Sequence, residues 1–67
     1  MTGTVTEFND AAGLGVILED EDGATYPFHC TQIADGTRTI AVGTHVRFEV
    51  LARLGRYEAG AISPAAA

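Results

Sequence analysis

Apolar and polar residues alternate with a period of two along most of this chain, interrupted at short intervals by glycine, aspartate and asparagine. Such alternation places successive side chains on opposite faces of an extended strand. Residues 2–9 read as a first strand, with Val5 turned inward and Thr4 and Thr6 outward. Asn9-Asp10-Ala11-Ala12-Gly13 supplies a reversal, because Asn, Asp and Gly accept the backbone conformations that turns need. Residues 14–18 form a second strand, with Leu14, Val16 and Leu18 on one face and Gly15 and Ile17 on the other. The Asp-Gly pair ending Glu19-Asp20-Glu21-Asp22-Gly23, set between two apolar runs, marks a hairpin. A third strand follows over 24–30, with Tyr26 and Phe28 on one face and Thr25, Pro27 and His29 on the other. Pro27 cannot donate to a sheet ladder, so this strand belongs at an edge or turns that nitrogen to solvent.

Beyond it, Thr31-Gln32-Ile33-Ala34 fits one helical turn capped by Thr31. Residues 35–43 are a loop that Ile40 and Val42 anchor inward, and residues 44–51 give the cleanest alternation. There Val46, Phe48 and Val50 point in, against His45, Arg47 and Glu49. Arg53-Leu54-Gly55-Arg56 turns the chain into a last strand over 57–62, whose Ala59-Gly60-Ala61 leaves its two faces unassigned. The pattern fades at Ser63, giving one domain over 1–63 and a flexible tail at 64–67. Five short strands with frequent turns and little helix signal define an all-β barrel or sandwich. In a chain of 67 residues, closure into a small barrel hides the sheet edges most completely.

Size and charge narrow the picture. A domain this small buries only about 60% of its unfolded surface, so most apolar residues serve one core. A lone cysteine, Cys30, excludes a disulfide within the chain and suits a reducing compartment. No apolar run reaches the ~20 residues of a membrane span, and Met1-Thr2-Gly3-Thr4 lacks the basic start of a leader. A soluble cytoplasmic protein with no membrane partner is expected. Nine acids oppose four bases, all arginine, for a net charge of −5. That balance repels phosphate backbones at long range, so a nucleic-acid partner requires the arginines to gather on one face. Asp20 and Asp22 lack the later ligands of a calcium loop. His29 and Cys30 point to opposite sides of a strand, and His45 lies on a distant one, so no metal set forms. Cys30 has no base and orienting acid to make it a nucleophile. Neither a cofactor nor catalysis is expected.

Gly3-Thr4-Val5, Phe8-Asn9, Gly13-Leu14-Gly15-Val16-Ile17, Phe28-His29-Cys30-Thr31-Gln32-Ile33, Arg38-Thr39-Ile40, Gly43 and Val46-Arg47-Phe48-Glu49-Val50 fall in register with one family. Over residues 3–62 the chain resembles a cold-shock domain, with a small gap around Asp35. The resemblance implies a five-stranded antiparallel barrel of the oligonucleotide-binding type (the OB-fold). It further implies binding of single-stranded RNA or DNA through aromatics on the second and third strands, flanked by lysines. The family's Lys-Gly-Phe-Gly-Phe-Ile is here Ala12-Gly13-Leu14-Gly15-Val16-Ile17, and its Val-Phe-Val-His-Phe is Tyr26-Pro27-Phe28-His29-Cys30. Its Trp-Phe-Asn is Glu7-Phe8-Asn9, a loop aromatic is Thr37, and a last-strand Gln is Glu58. Each base stacked on an aromatic contributes roughly 1–3 kcal/mol, so losing about five platforms removes roughly 5–10 kcal/mol. A micromolar complex has only about 8 kcal/mol in total. The resemblance therefore implies weakened or altered binding, with Phe8, Leu14, Val16, His29, Arg38, Arg56 and Tyr57 as the candidate contacts.

The residues themselves keep alternatives open. Leu14, Val16 and Leu18, with Pro27 and Cys30 beside them, form either an ordinary partly apolar surface or a patch for a protein partner or homodimer. His29 either stacks and hydrogen-bonds or stays a solvated strand residue. Arg53, Arg56 and Tyr57 either take a phosphate and a base or solvate a turn. Glu7 disturbs the alternation of the first strand, so Phe8 faces either a ligand or the barrel edge.

Overall fold

The structure is a computed structural model in which residues 1–65 are described. Its elements are β1 (Thr2–Asn9), β2 (Leu14–Glu19), β3 (Thr25–His29), a 3-10 turn (Cys30–Gln32), β4 (His45–Arg53) and β5 (Arg56–Pro64). All strand pairs are antiparallel, in the order β3-β2-β1-β4-β5. Pro27 thus lies on an edge strand. That edge curls round to meet the other: β3 packs against β5, Ile33 bridges to Ile62, and the Ala34 N–H donates to the Ile62 carbonyl at 2.7 Å. The result is the small five-stranded barrel that the alternation predicts.

Val5, Ile17, Phe28, Ile33, Val46, Phe48, Ala59 and Ile62 are buried at its centre. Phe8, Tyr26, Cys30, Ile40 and Val50 pack partly buried against them. Two bulges set the faces where alternation fails. In β1, Val5 pairs with Ile17 but Glu7 pairs with Val16, so Thr6 is the extra residue. The phase then inverts: Glu7 turns outward and Phe8 packs on the core. Between β4 and β5, Arg47 pairs with Ser63 and Glu49 with Gly60, leaving Phe48 opposite Ala61 and Ile62. Ala61 takes up the irregularity with φ 49°, which lets Ala59 and Ile62 both point inward despite their odd spacing.

Other expectations are corrected. The helical turn begins earlier than residues 31–34, and His29 caps it in place of Thr31: His29 Nδ1 accepts the Thr31 N–H at 3.2 Å. Val42 is 60% exposed, because the backbone beside it does the anchoring. The Gly43 N–H donates to the Val5 carbonyl at 2.7 Å, and the Val5 N–H donates to the Thr44 carbonyl at 3.0 Å. The first residue of the expected tail is strand: Pro64 pairs with Val46, and the Ala65 N–H donates to the His45 carbonyl at 3.0 Å. Residues 66–67 of that tail lie outside the described residues.

The acidic hairpin is a hydrogen-bonded turn. Glu19, only 5% exposed, accepts the Glu21 N–H at 2.6 Å and the Asp22 N–H at 3.3 Å. Asp20 accepts from His45 Nε2 at 2.7 Å and from the Thr2 hydroxyl at 2.9 Å, tying the turn to β4 and β1. The His45 contact, ahead of the Thr2 hydroxyl, holds the Asp20 carboxyl below its ordinary value of 3.8. A carboxylate lowered in this way stabilises the fold fully above its unfolded pKa, and the contribution is lost as pH falls through the folded value. Asp20→Asn should therefore remove part of the acid-induced drop in urea midpoint below about pH 4. An unchanged acid limb in that variant would show that the contact contributes nothing.

Leu54 and Gly55 close the β4–β5 hairpin with φ 47° and 83°, the sign that a type I′ turn requires at both positions. Leucine resists that conformation, whereas asparagine tolerates it. Leu54 is also fully exposed, so replacing it removes no packing. Leu54→Asn should stabilise the domain by about 0.5–1 kcal/mol, read as a rise in Tm of roughly 2–8 °C.

Candidate nucleic-acid interface

Phe8, Gly15 and Phe28 stand in one register row across β1, β2 and β3. A Cβ at Gly15 would lie 2.6 Å from Phe28 Cε1, so only glycine leaves room for that ring. The two rings stack with centroids 6.0 Å apart and planes 13° from parallel. Phe8 therefore both closes the barrel and shows a partly exposed ring. Beside it opens a groove of about 540 Å³, within the ~300–1,000 Å³ usual for clefts that hold small ligands.

Leu14, Val16, Pro27 and His29 line this groove from the outward faces of β2 and β3, with Glu7 and Asn9 on β1. Arg56 and Glu58 reach it from β5. Pairing explains the cluster: Val16 lies between Glu7 and Pro27, and Leu14 between Asn9 and His29. Leu14 is 53% exposed and Val16 half-buried. Leu18, one pair further along, stays outside the groove. The His29 cap also has a chemical consequence. Because Nδ1 accepts a backbone N–H, the neutral ring carries its proton on Nε2, a donor for a ligand.

The groove thus gathers Phe8, Leu14, Val16, His29 and Arg56 from the sequence candidates, and leaves Arg38 and Tyr57 elsewhere. Arg38 is exposed in the β3–β4 loop at φ 61°. Tyr57, 64% exposed, shares a separate depression of about 240 Å³ with Arg53, Leu54 and Arg56. Arg56 borders both. Its Nε is 3.8 Å from Glu58, whose side chain is 25% exposed. With Glu7 also at the groove, the local charge does not favour phosphate. Asn9 and Phe28 are lining residues that sequence reasoning did not assign to a site; the broken alternation at Glu7 was the available sign that β1 inverts its faces here.

Cys30 is half-buried against the core, its Sγ 2.8 Å from where a Cβ on Gly13 would stand. Among the described residues, no group of three His, Cys, Asp or Glu side chains is placed to hold a metal ion. No helix among them is long and apolar enough to cross a membrane.

A five-stranded barrel with a groove bordered by the outer faces of β2 and β3 is an oligonucleotide-binding-type architecture. The family model described as the 'Cold-shock' DNA-binding domain matches residues 1–65, and the chain belongs to the cold-shock domain family. It is 39% identical over 64 residues to the cold shock-like protein CspD of Vibrio cholerae, covering 94% of this chain and 84% of that one. It is 48% identical over 50 residues to the cold shock-like protein CspA of Stigmatella aurantiaca, covering 73% of this chain and 74% of that one.

The groove depends on the aromatic stack, and the stack on Gly15. Gly15→Ala should cost about 1–3 kcal/mol through overpacking against Phe28, measured as a lower urea midpoint. A midpoint equal to that of the unmodified chain would show that the Phe28 ring shifts freely.

Proposed function

We propose that this chain is a small cytoplasmic, cold-shock-like protein that binds single-stranded RNA or DNA weakly, through the groove beside Phe8. The observation that supports this most is the convergence of Phe8, Leu14, Val16, His29 and Arg56 on one cleft, in a chain of the cold-shock family. Phe8 offers a ring, Leu14 and Val16 offer apolar contact, and His29 offers an Nε2 donor. Arg53 and Arg56 at the β4–β5 hairpin supply charge for the backbone beside Tyr57. The proposed role is binding, with no catalysis.

A fluorescent mixed-sequence oligonucleotide, titrated at ~50 mM and ~200 mM salt, tests the reading. Two phosphate contacts give a log–log slope of about −1.4 on single strands, so affinity should fall roughly sevenfold between those concentrations. Val16→Phe restores one stacking platform and should tighten binding by at least about fivefold, the lower end of a base–aromatic stack. No association at the lower salt by either protein, up to the highest soluble concentration, would overturn the proposal.

A further inference from the structure

We infer that Glu58 makes the groove select guanine over thymine or uracil, an inference that rests on the nucleic-acid reading above. Glu58 lines the cleft from β5 with its side chain 25% exposed. Its nearest cation, Arg56 Nε, lies at 3.8 Å, beyond hydrogen-bonding distance. Among the described residues no donor hydrogen-bonds to its carboxylate. These oxygens therefore retain their accepting capacity in a cleft that Phe8, Leu14, Val16 and Pro27 also line.

An ionised carboxylate only accepts, whereas a glutamine amide both donates and accepts and can turn to suit any base. With glutamate here, the groove discriminates by what the base donates. Unpaired bases are read on their Watson–Crick edges. Guanine presents N1–H and the N2 amino group side by side, a pair that matches the two oxygens of a carboxylate. Thymine and uracil present one N3–H between two carbonyl oxygens, which a carboxylate repels. Adenine and cytosine each set one amino group beside a ring nitrogen that accepts, an intermediate match. Glu7, also at the groove, adds a second acceptor and no donor. The His29 Nε2–H supplies the opposite polarity, which suits the O6 and N7 acceptors of guanine. A base that covers the carboxylate without donating to it displaces its hydrogen bonds to water and replaces none of them, and so is disfavoured.

The test uses fluorescein-labelled oligothymidylates of about seven nucleotides whose central base is thymine, guanine or hypoxanthine. Kd values come from anisotropy at ~50 mM lithium chloride. The guanine oligonucleotide should bind about tenfold or more tightly than the all-thymine one, as a bidentate contact requires. Hypoxanthine, which lacks the N2 amino group, should fall between them. Glu58→Gln should compress the guanine-to-thymine ratio toward unity, by weakening guanine and strengthening thymine, with the urea midpoint unchanged. Measurable binding with equal affinity for guanine and thymine, or a ratio unaltered by Glu58→Gln, would overturn the inference while leaving the nucleic-acid reading intact. Hypoxanthine matching guanine would overturn the bidentate contact without any change to the protein. Absence of binding by every oligonucleotide would overturn the nucleic-acid reading, and this inference with it.

Discussion

The contact on which the fold and the groove both depend is the stack of Phe8 on Phe28 across Gly15. Strict alternation in β1 would send Glu7 inward beside Val5 and leave Phe8 in solvent. A carboxylate buried there without a partner would be strongly unfavourable. One extra residue, Thr6, inverts the phase and resolves both problems. Glu7 reaches water, Phe8 reaches Phe28, and the missing side chain of Gly15 accommodates the ring. A local irregularity in one strand thereby decides which residues are core and which border the cleft.

The same row shows how the aromatic residues are distributed. In the cold-shock pattern the third strand alternates Val-Phe-Val, whereas here it runs Tyr26-Pro27-Phe28. Phe28 is 2% exposed, and Tyr26 packs on Phe48 with ring centroids 5.6 Å apart. Aromatic contacts of this kind stabilise by about 0.5–1.5 kcal/mol beyond area burial. In a chain near the lower size limit for folding alone, rings facing inward add core where little is available. They are then no longer platforms for bases, and of the five Phe and Tyr side chains Tyr57 is the one left mostly in solvent.

Wherever the chain alternates regularly, its fold is legible from sequence. Val5, Val46 and Phe48 are read as inward from period two and are all buried, and Ile17 and Phe28 are buried on the faces that the same alternation sets apart. Legibility fails where a neighbour from elsewhere in the chain changes the phase. Ala59 and Ile62 are both buried three positions apart because Phe48 faces two residues of β5, a fact of pairing that no single strand displays. Val42 looks like an anchor, yet the Gly43 and Thr44 backbone takes that place. The site divides in the same way. Leu14 and Val16 share a face by local pattern and His29 joins them by pairing with Leu14, whereas Arg56 and Glu58 reach the groove only because β5 returns past β3. Arg38 and Tyr57, named from resemblance and local chemistry, lie outside that groove.

Charge then sets how a strand would have to lie. The groove holds Glu7 and Glu58 against Arg56 alone, and the domain carries −5 overall. A phosphate seated in that cleft would meet more negative than positive charge within a Debye length. A base carries no net charge and would meet the Phe8 ring and apolar side chains, so the cleft suits a base better than a phosphate. The hairpin offers the complement: Arg53 and Arg56 pair across β4 and β5 with Tyr57 adjacent and no acid lining that depression. A nucleotide bridging Arg56 would place its base in the groove and its phosphate at the hairpin. In that arrangement affinity would depend more on what the base offers the groove than on how many phosphates the arginines neutralise. For an acidic barrel with few cations, reading the base is the physically available route to binding nucleic acid.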